Sequence, residues 1–179
     1  MSIRFGVSPI AWINDDMPEL GGDTPLERVL AEAREIGYTG IELGGKFPRD
    51  SQTLQALLAR FELELVGGWY SANLLIRTAG EEIAALQAHL GLLKALGCRV
   101  FILAETSNAI HGDRARPLAA TPRLDRTAWA RFGAKLTEVA DSVTAAGLRF
   151  AYHHHLGTVV ESNDDIEWFL RSTGPSVGF

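Results

Sequence analysis

Cysteine is almost absent, with Cys98 the single one in 179 residues. One thiol excludes an internal disulfide and any cysteine-built zinc site, and it fits a reducing compartment. Long apolar runs are missing as well. No window approaches the roughly 18 apolar residues of a membrane span. The start, MSIRFGVSPIAW, lacks the apolar stretch and cleavage region of a signal peptide. A cytoplasmic address is therefore expected. Positive charge is in deficit: 17 Lys and Arg face 22 Asp and Glu, for a net charge of −5 and a pI near 5.5. That balance gives no electrostatic reason to expect nucleic acid or an anionic membrane as partner. Glycine-rich phosphate loops are missing too. The first apolar run leads into Ser8-Pro9-Ile10-Ala11-Trp12-Ile13-Asn14-Asp15-Asp16, not G-x-G-x-x-G, and no G-x-x-x-x-G-K-[ST] occurs. Nucleotide-binding folds lose ground.

What is present is a repeated alternation of short apolar runs and helical periods. The runs Arg4 to Ile10, Gly40 to Leu43, Glu64 to Gly68, Arg99 to Ala104, Arg149 to His153 and Ser176 to Phe179 read as strands. Thr24-Pro25-Leu26-Glu27 reads as a capping box opening the first helix, which stops at Gly37. A second helix is expected from Ser51 to Phe61. A third carries Ile83, Leu86, Leu90, Leu93 and Leu96, a fourth opens near Asp125, and a fifth runs from Asn163 to Arg171. Three junctions share one grammar, helix, Gly, two residues, strand, at Gly37, Gly97 and Gly147.

Strand alternating with helix implies a parallel sheet with right-handed crossovers. No linker divides residues 1–179, so one domain is expected. The fold class is α/β: a partial TIM (β/α) barrel of about five βα units plus the start of a sixth strand. A closed barrel needs roughly 250 residues. The chain is thus expected to be C-terminally incomplete, inactive alone, and prone to self-association (a homo-oligomer) through an open strand edge.

In parallel α/β folds the site lies at the C-terminal strand ends. Those ends carry Trp12 and Asn14, Glu42 with Lys46, Trp69 and Tyr70, Glu105, and His153-His154-His155. Strand alternation turns Glu42 away from Ile41 and Leu43. There it can bind a hydroxyl, ligate a metal or act as a base, or simply form an ion pair with Lys46 or an Arg at the mouth. His153 and His155 share a face, which suits a metal ligand beside an acid–base or hydroxyl-binding partner. Trp12 and Trp69 either fill the core or stack on a sugar ring. His111 lies in the long Glu105 to Leu124 connection and faces solvent or substrate. His89 reads as a surface residue.

These stretches, with Leu20-Gly21-Gly22-Asp23-Thr24-Pro25-Leu26-Glu27, Gly40-Ile41-Glu42-Leu43-Gly44 and His153-His154-His155-Leu156-Gly157-Thr158, resemble the myo-inosose-2 dehydratases among the xylose-isomerase-like TIM barrels. The resemblance covers essentially the whole chain. It implies dehydration of 2-keto-myo-inositol (scyllo-inosose), a small polyhydroxy ketone, to a trihydroxycyclohexane-dione in inositol catabolism. It also implies a divalent metal, Mn or Co, and a link to glutathione. On that basis His153 is assigned to the metal. His155 and Glu42 are assigned to proton transfer or hydroxyl binding, and Lys46 to the carbonyl or enediolate. Trp12, Asn14, Trp69, Glu105 and His111 are expected to line the pocket. A sugar isomerase or epimerase on the same scaffold, or a non-catalytic carbohydrate-binding remnant, are the competing readings.

Overall fold

The computed structural model describes residues 3–179. The chain forms two compact units, one from the chain up to Trp69 with His89–Arg99, the other from Tyr70–Ala88 with Val100–Phe179.

In the first unit, β1 (Gly6–Val7), β2 (Gly40–Leu43) and β3 (Glu64–Ala72) pair in parallel. The β2–β3 register slips between Ile41 and Glu42, so Val66 bulges and Glu42 stands opposite Gly67. Val66 leans over Gly40, where a Cβ would stand 2.3 Å from its Cγ1. The helices α1 (Leu26–Ile36) and α2 (Ser51–Arg60) bury Val29, Leu30, Ala33, Leu54 and Leu58. Ile41 and Leu43 are buried while Glu42 between them is half-buried, which is the alternation expected of a strand covered on one face.

Two expectations for this unit need correction. The first strand is two residues long, not seven. Pro9 has no N–H to continue a ladder, and Pro9–Ala11 forms a 3₁₀ turn instead. The Thr24–Glu27 capping box does not form either. Pro25 occupies the N-cap position and no side chain caps the helix, leaving Thr24 one residue too early. Asp50 does cap α2, accepting from the Thr53 N–H at 2.8 Å.

In the second unit, β4 (Val100–Glu105), β5 (Arg149–Tyr152) and β6 (Val177–Gly178) pair in parallel. Phe101 and Leu103 of β4 and Phe150 and Tyr152 of β5 are buried on one face. There Tyr152 meets Phe132 of α5 (Arg126–Ala145) with ring centres 6.2 Å apart, and Phe169 of α6 (Asn163–Ser172) at 4.6 Å. Asp125 caps α5, and Ser162 with Asp165 forms a capping box on α6. The single third helix expected from the sequence is two, broken at Leu86: α3 (Ala79–Ala85) in this unit, and α4 (Gln87–Ala95), most of which belongs to the first. The Gln87 side-chain amide donates to the Ile83 carbonyl at 2.7 Å, competing with the helix ladder at the break.

Gly37, Gly97 and Gly147 all adopt positive φ, between 77° and 106°. The junction grammar therefore marks left-handed helix stops, as read.

Candidate functional site

The C-terminal strand ends of the first unit hold five of the expected residues. Trp12 is half-buried, and its indole N–H donates to Glu32 Oε2 of α1 at 2.7 Å. Hydrogen bonds from Arg28 first and Trp12 second hold the Glu32 carboxyl below its ordinary range. Asn14 Oδ1 accepts from the Asp16 and Met17 N–H groups at 3.0 and 2.9 Å, an Asx turn that leaves the amide NH2 to face other partners. Asp15 Oδ2 accepts from the Gly45 N–H at 2.8 Å, tying the loop after β1 to the loop after β2.

Lys46 does not pair with Glu42. Its exposed ammonium donates to the Thr24 carbonyl at 2.7 Å. Glu42 is left half-buried with no hydrogen bond or ion pair among the described residues. Such a carboxylate is partly withdrawn from water yet has no donor among the described residues to satisfy it. Trp69 is half-buried at the end of the unit's share of β3.

His89 is not a surface residue. It is half-buried behind β3, its Nε2 is 3.3 Å from the Gly68 carbonyl oxygen, and burial lowers its pKa. Helical spacing places it one turn from the buried Leu86 and Leu93, on the sheet-facing side of the helix.

In the second unit the histidines gather. His111 from the long β4–α5 connection meets His155 edge-on, with ring centres 4.7 Å apart, and His155 lies 5.9 Å from His153. The connection is fastened beside them. The Ile110 N–H donates to the Gly157 carbonyl at 2.9 Å, and Arg123 donates to Ser162 Oγ and Asp165 Oδ2 at 3.1 and 3.0 Å. Gly157 has φ +74°, and a Cβ there would come within 2.9 Å of the His111 nitrogen. Only glycine permits this approach without strain. Partial desolvation, followed by the neighbouring His155 and His154, lowers the His153 pKa, which favours a neutral imidazole at pH 7. The sequence left His111 open between solvent and substrate. The structure brings it to the histidine cluster.

Glu105 is the clear correction. It is 0 % exposed. Its Oε2 accepts from the Leu74 N–H at 2.5 Å, and its Oε1 accepts from the Ser107 N–H at 2.9 Å and from the Ser107 hydroxyl. Burial pushes its carboxyl pKa upward. The reason is parity: Phe101, Leu103 and Glu105 are two residues apart, so all three share the buried face.

Sequence reasoning also missed Glu82 on α3, likewise 0 % exposed. It accepts from the Tyr70 hydroxyl at 2.7 Å and the Asn73 N–H at 3.0 Å, with Arg77 Nη1 at 3.4 Å. A buried position at Glu82, with the helical stripe running through Ile83 and Leu86, gave no apolar signal to find it by.

A divalent metal needs about three protein ligands. Among the described residues no group of three His, Cys, Asp or Glu side chains is placed to hold one. The histidine cluster therefore does not by itself fit a metal centre, and no chemical step below passes through one. No described helix is long and apolar enough to cross a membrane.

The profile of the xylose isomerase-like TIM barrel family matches residues 30–179. The chain is 44 % identical over 178 residues to the rhizopine catabolism protein MocC of Rhizobium meliloti, covering 99 % of this chain and 55 % of that protein. It is 33 % identical over 174 residues to the inosose dehydratase of Geobacillus thermodenitrificans, covering 97 % and 58 %. A xylose isomerase-like TIM barrel protein from Mycobacterium smegmatis, solved in complex with magnesium, superposes with a TM-score of 0.66 at 14 % identity, covering 98 % of this chain and 63 % of that one. That likeness concerns the fold alone. The chain thus spans somewhat over half the length of the curated relatives it matches. The alternating parallel strands and helices, the profile match and the structural likeness agree: the chain belongs to the xylose isomerase-like TIM barrel family.

Proposed function

We propose that the protein acts as a dehydratase on a polyhydroxylated ring ketone, with scyllo-inosose as substrate. The observation that carries the reading is Glu42: a half-buried carboxylate at a strand end with no partner among the described residues. The inosose dehydratase relatives at about a third identity support the substrate class.

The chemistry follows from the ketone. The carbonyl acidifies the neighbouring C–H, and a base removes that proton. The C–H electron pair passes into an enediolate, whose collapse expels the β-hydroxyl. A proton delivered to that hydroxyl releases it as water, so one water leaves and no oxidant is needed. In this reading Glu42 and His155 are each assigned to proton transfer or hydroxyl binding, as the resemblance implies. Lys46, with ammonium protons beyond the one on Thr24, opposes the developing enediolate charge. His111, edge-on to His155, limits the orientations open to that ring. The resemblance implies Mn or Co, with His153 the group of this chain assigned to the ion. Further donors from outside the described residues would then be required.

The test is product analysis of scyllo-inosose incubated with the protein, with and without Mn²⁺, Co²⁺ and glutathione. A diketone lighter by one water supports the reading. Epimer exchange without loss of water points to an isomerase or epimerase, and saturable binding without turnover points to a carbohydrate-binding remnant. A second reading rests on the 44 % identical relative, named for rhizopine catabolism. Ketones derived from rhizopine, run beside inosose in the same assay, separate the two.

A further inference from the structure

The turn after β3 is held with unusual firmness. Two side chains that are each 0 % exposed, Glu82 and Glu105, accept hydrogen bonds from the consecutive N–H groups of Asn73 and Leu74. Lys135, reaching across from α5, donates to the carbonyls of Leu74 and Arg77, each at 2.7 Å. The Asn73 carbonyl accepts from the Ile76 and Arg77 N–H groups at 3.1 and 2.8 Å. Arg77 Nη1 approaches Glu82, which also takes the Tyr70 hydroxyl. Two buried carboxylates and a lysine thus fix one short turn at a C-terminal strand end.

Burying charge is costly unless it is fully bonded, and a hydrophobic packing would hold an ordinary connection at less cost. Such a shell is what a binding group needs when its position must be held within a fraction of an ångström. The group that the turn presents is Asn73. Along β3, Gly68, Tyr70 and Ala72 lie toward the helices. A Cβ on Gly68 would meet Leu43 and His89, Tyr70 reaches Glu82 of α3, and Ala72 is fully buried. Trp69 and Ser71 alternate to the other face, and Asn73 continues their series. Its side chain is half-buried and makes no hydrogen bond among the described residues. A primary amide has a donor and an acceptor side by side, which matches adjacent hydroxyls of a polyol ring.

We infer that Asn73 is a substrate-binding residue that hydrogen-bonds a vicinal hydroxyl pair, and that Glu82, Glu105 and Lys135 are its positioning residues. The inference rests on the polyol-ketone reading above. It accounts for a buried ionic cradle that a merely structural turn would not require.

The experiment is a titration of the ¹⁵N-labelled protein with myo-inositol as the cyclic polyol probe, together with kinetics on scyllo-inosose. The Asn73 side-chain amide signals, assigned by their loss in Asn73→Ala, should shift saturably with the protein's other responding signals. Asn73→Ala should raise KM by about ten- to a hundredfold, the weight of two hydrogen bonds, with kcat changed less than about threefold. Glu82→Gln should raise KM in the same sense. The double variant should be no worse than Asn73→Ala alone, because the turn then has nothing left to position. The inference is overturned if other signals shift while those of Asn73 stay still, if Asn73→Ala leaves KM within twofold, or if the two substitutions multiply. Should Glu82→Gln fail to fold, Asn73→Ala and the titration still decide. If myo-inositol moves no signal and inosose is not consumed, the polyol reading falls first and takes the inference with it.

Discussion

Replacing Glu105 by Ala removes the acceptor for three donors at once: the Leu74 N–H, the Ser107 N–H and the Ser107 hydroxyl. Leu74 is fully buried, so its N–H is left without water to turn to. An orphaned buried donor costs about 1–3 kcal/mol, and the half-buried Ser107 N–H adds roughly 1 kcal/mol. Relief from holding a charge in the interior offsets part of this. The net loss should be about 2–4 kcal/mol. Glu105→Gln keeps one acceptor for Leu74 and should cost about 1 kcal/mol at pH 7. The two variants also differ from wild type in pH dependence. Burial raises the folded-state pKa of Glu105 above its unfolded value, so the folded state holds that proton more tightly. Its contribution to stability is complete below the unfolded pKa and is lost as pH rises through the folded one. Subtracting the Glu105→Gln curve from the wild-type curve isolates this slope from carboxylates such as Asp165, whose pKa is shifted the other way. Urea unfolding followed by the buried Trp129, at several pH values from 4 to 8, provides the readout. A Glu105→Ala loss below about 0.5 kcal/mol, or a wild-type minus Gln difference that rises with pH, would refute the reasoning.

Gly157→Ala should destabilise the β5–α6 loop by about 1–2 kcal/mol from its left-handed backbone alone, and more from the clash with His111. The His111–His155 ring contact should weaken in NOE spectra, and an unchanged contact would count against the fastening described. Cys98 is buried, and burial pushes its thiol to about 11. At pH 8 it should react with a thiol reagent only after unfolding, so rapid labelling of the native protein would contradict its placement.

Much of this fold was legible because its signals are local. A helix stop needs only a glycine at the right offset, and Gly37, Gly97 and Gly147 supplied it. Strand parity turned Glu42 away from Ile41 and Leu43, and the burial alternates accordingly, yet the same rule applied to Phe101, Leu103 and Glu105 would have sent Glu105 to the buried face. That error came from weighing a carboxylate as a site group before counting residues. The short first strand was likewise legible in Pro9. The helix break at Leu86 was hidden, because the apolar stripe runs through it unbroken. The cradle around Asn73 was hidden for a different reason: Lys135 lies 61 residues from Leu74 in sequence, and no local pattern reports such a contact. His111 and His155 met only once the long connection was seen to fasten on Gly157.

The most direct test of the account is the kcat/KM of Glu42→Gln and of His155→Ala for scyllo-inosose dehydration, measured in a full-length enzyme that carries this chain, against its unsubstituted form. Each should fall by about 10²–10⁴-fold, as expected for loss of a proton-transfer group, while Trp129 fluorescence shows the fold unchanged. Near wild-type kcat/KM in both variants would contradict it.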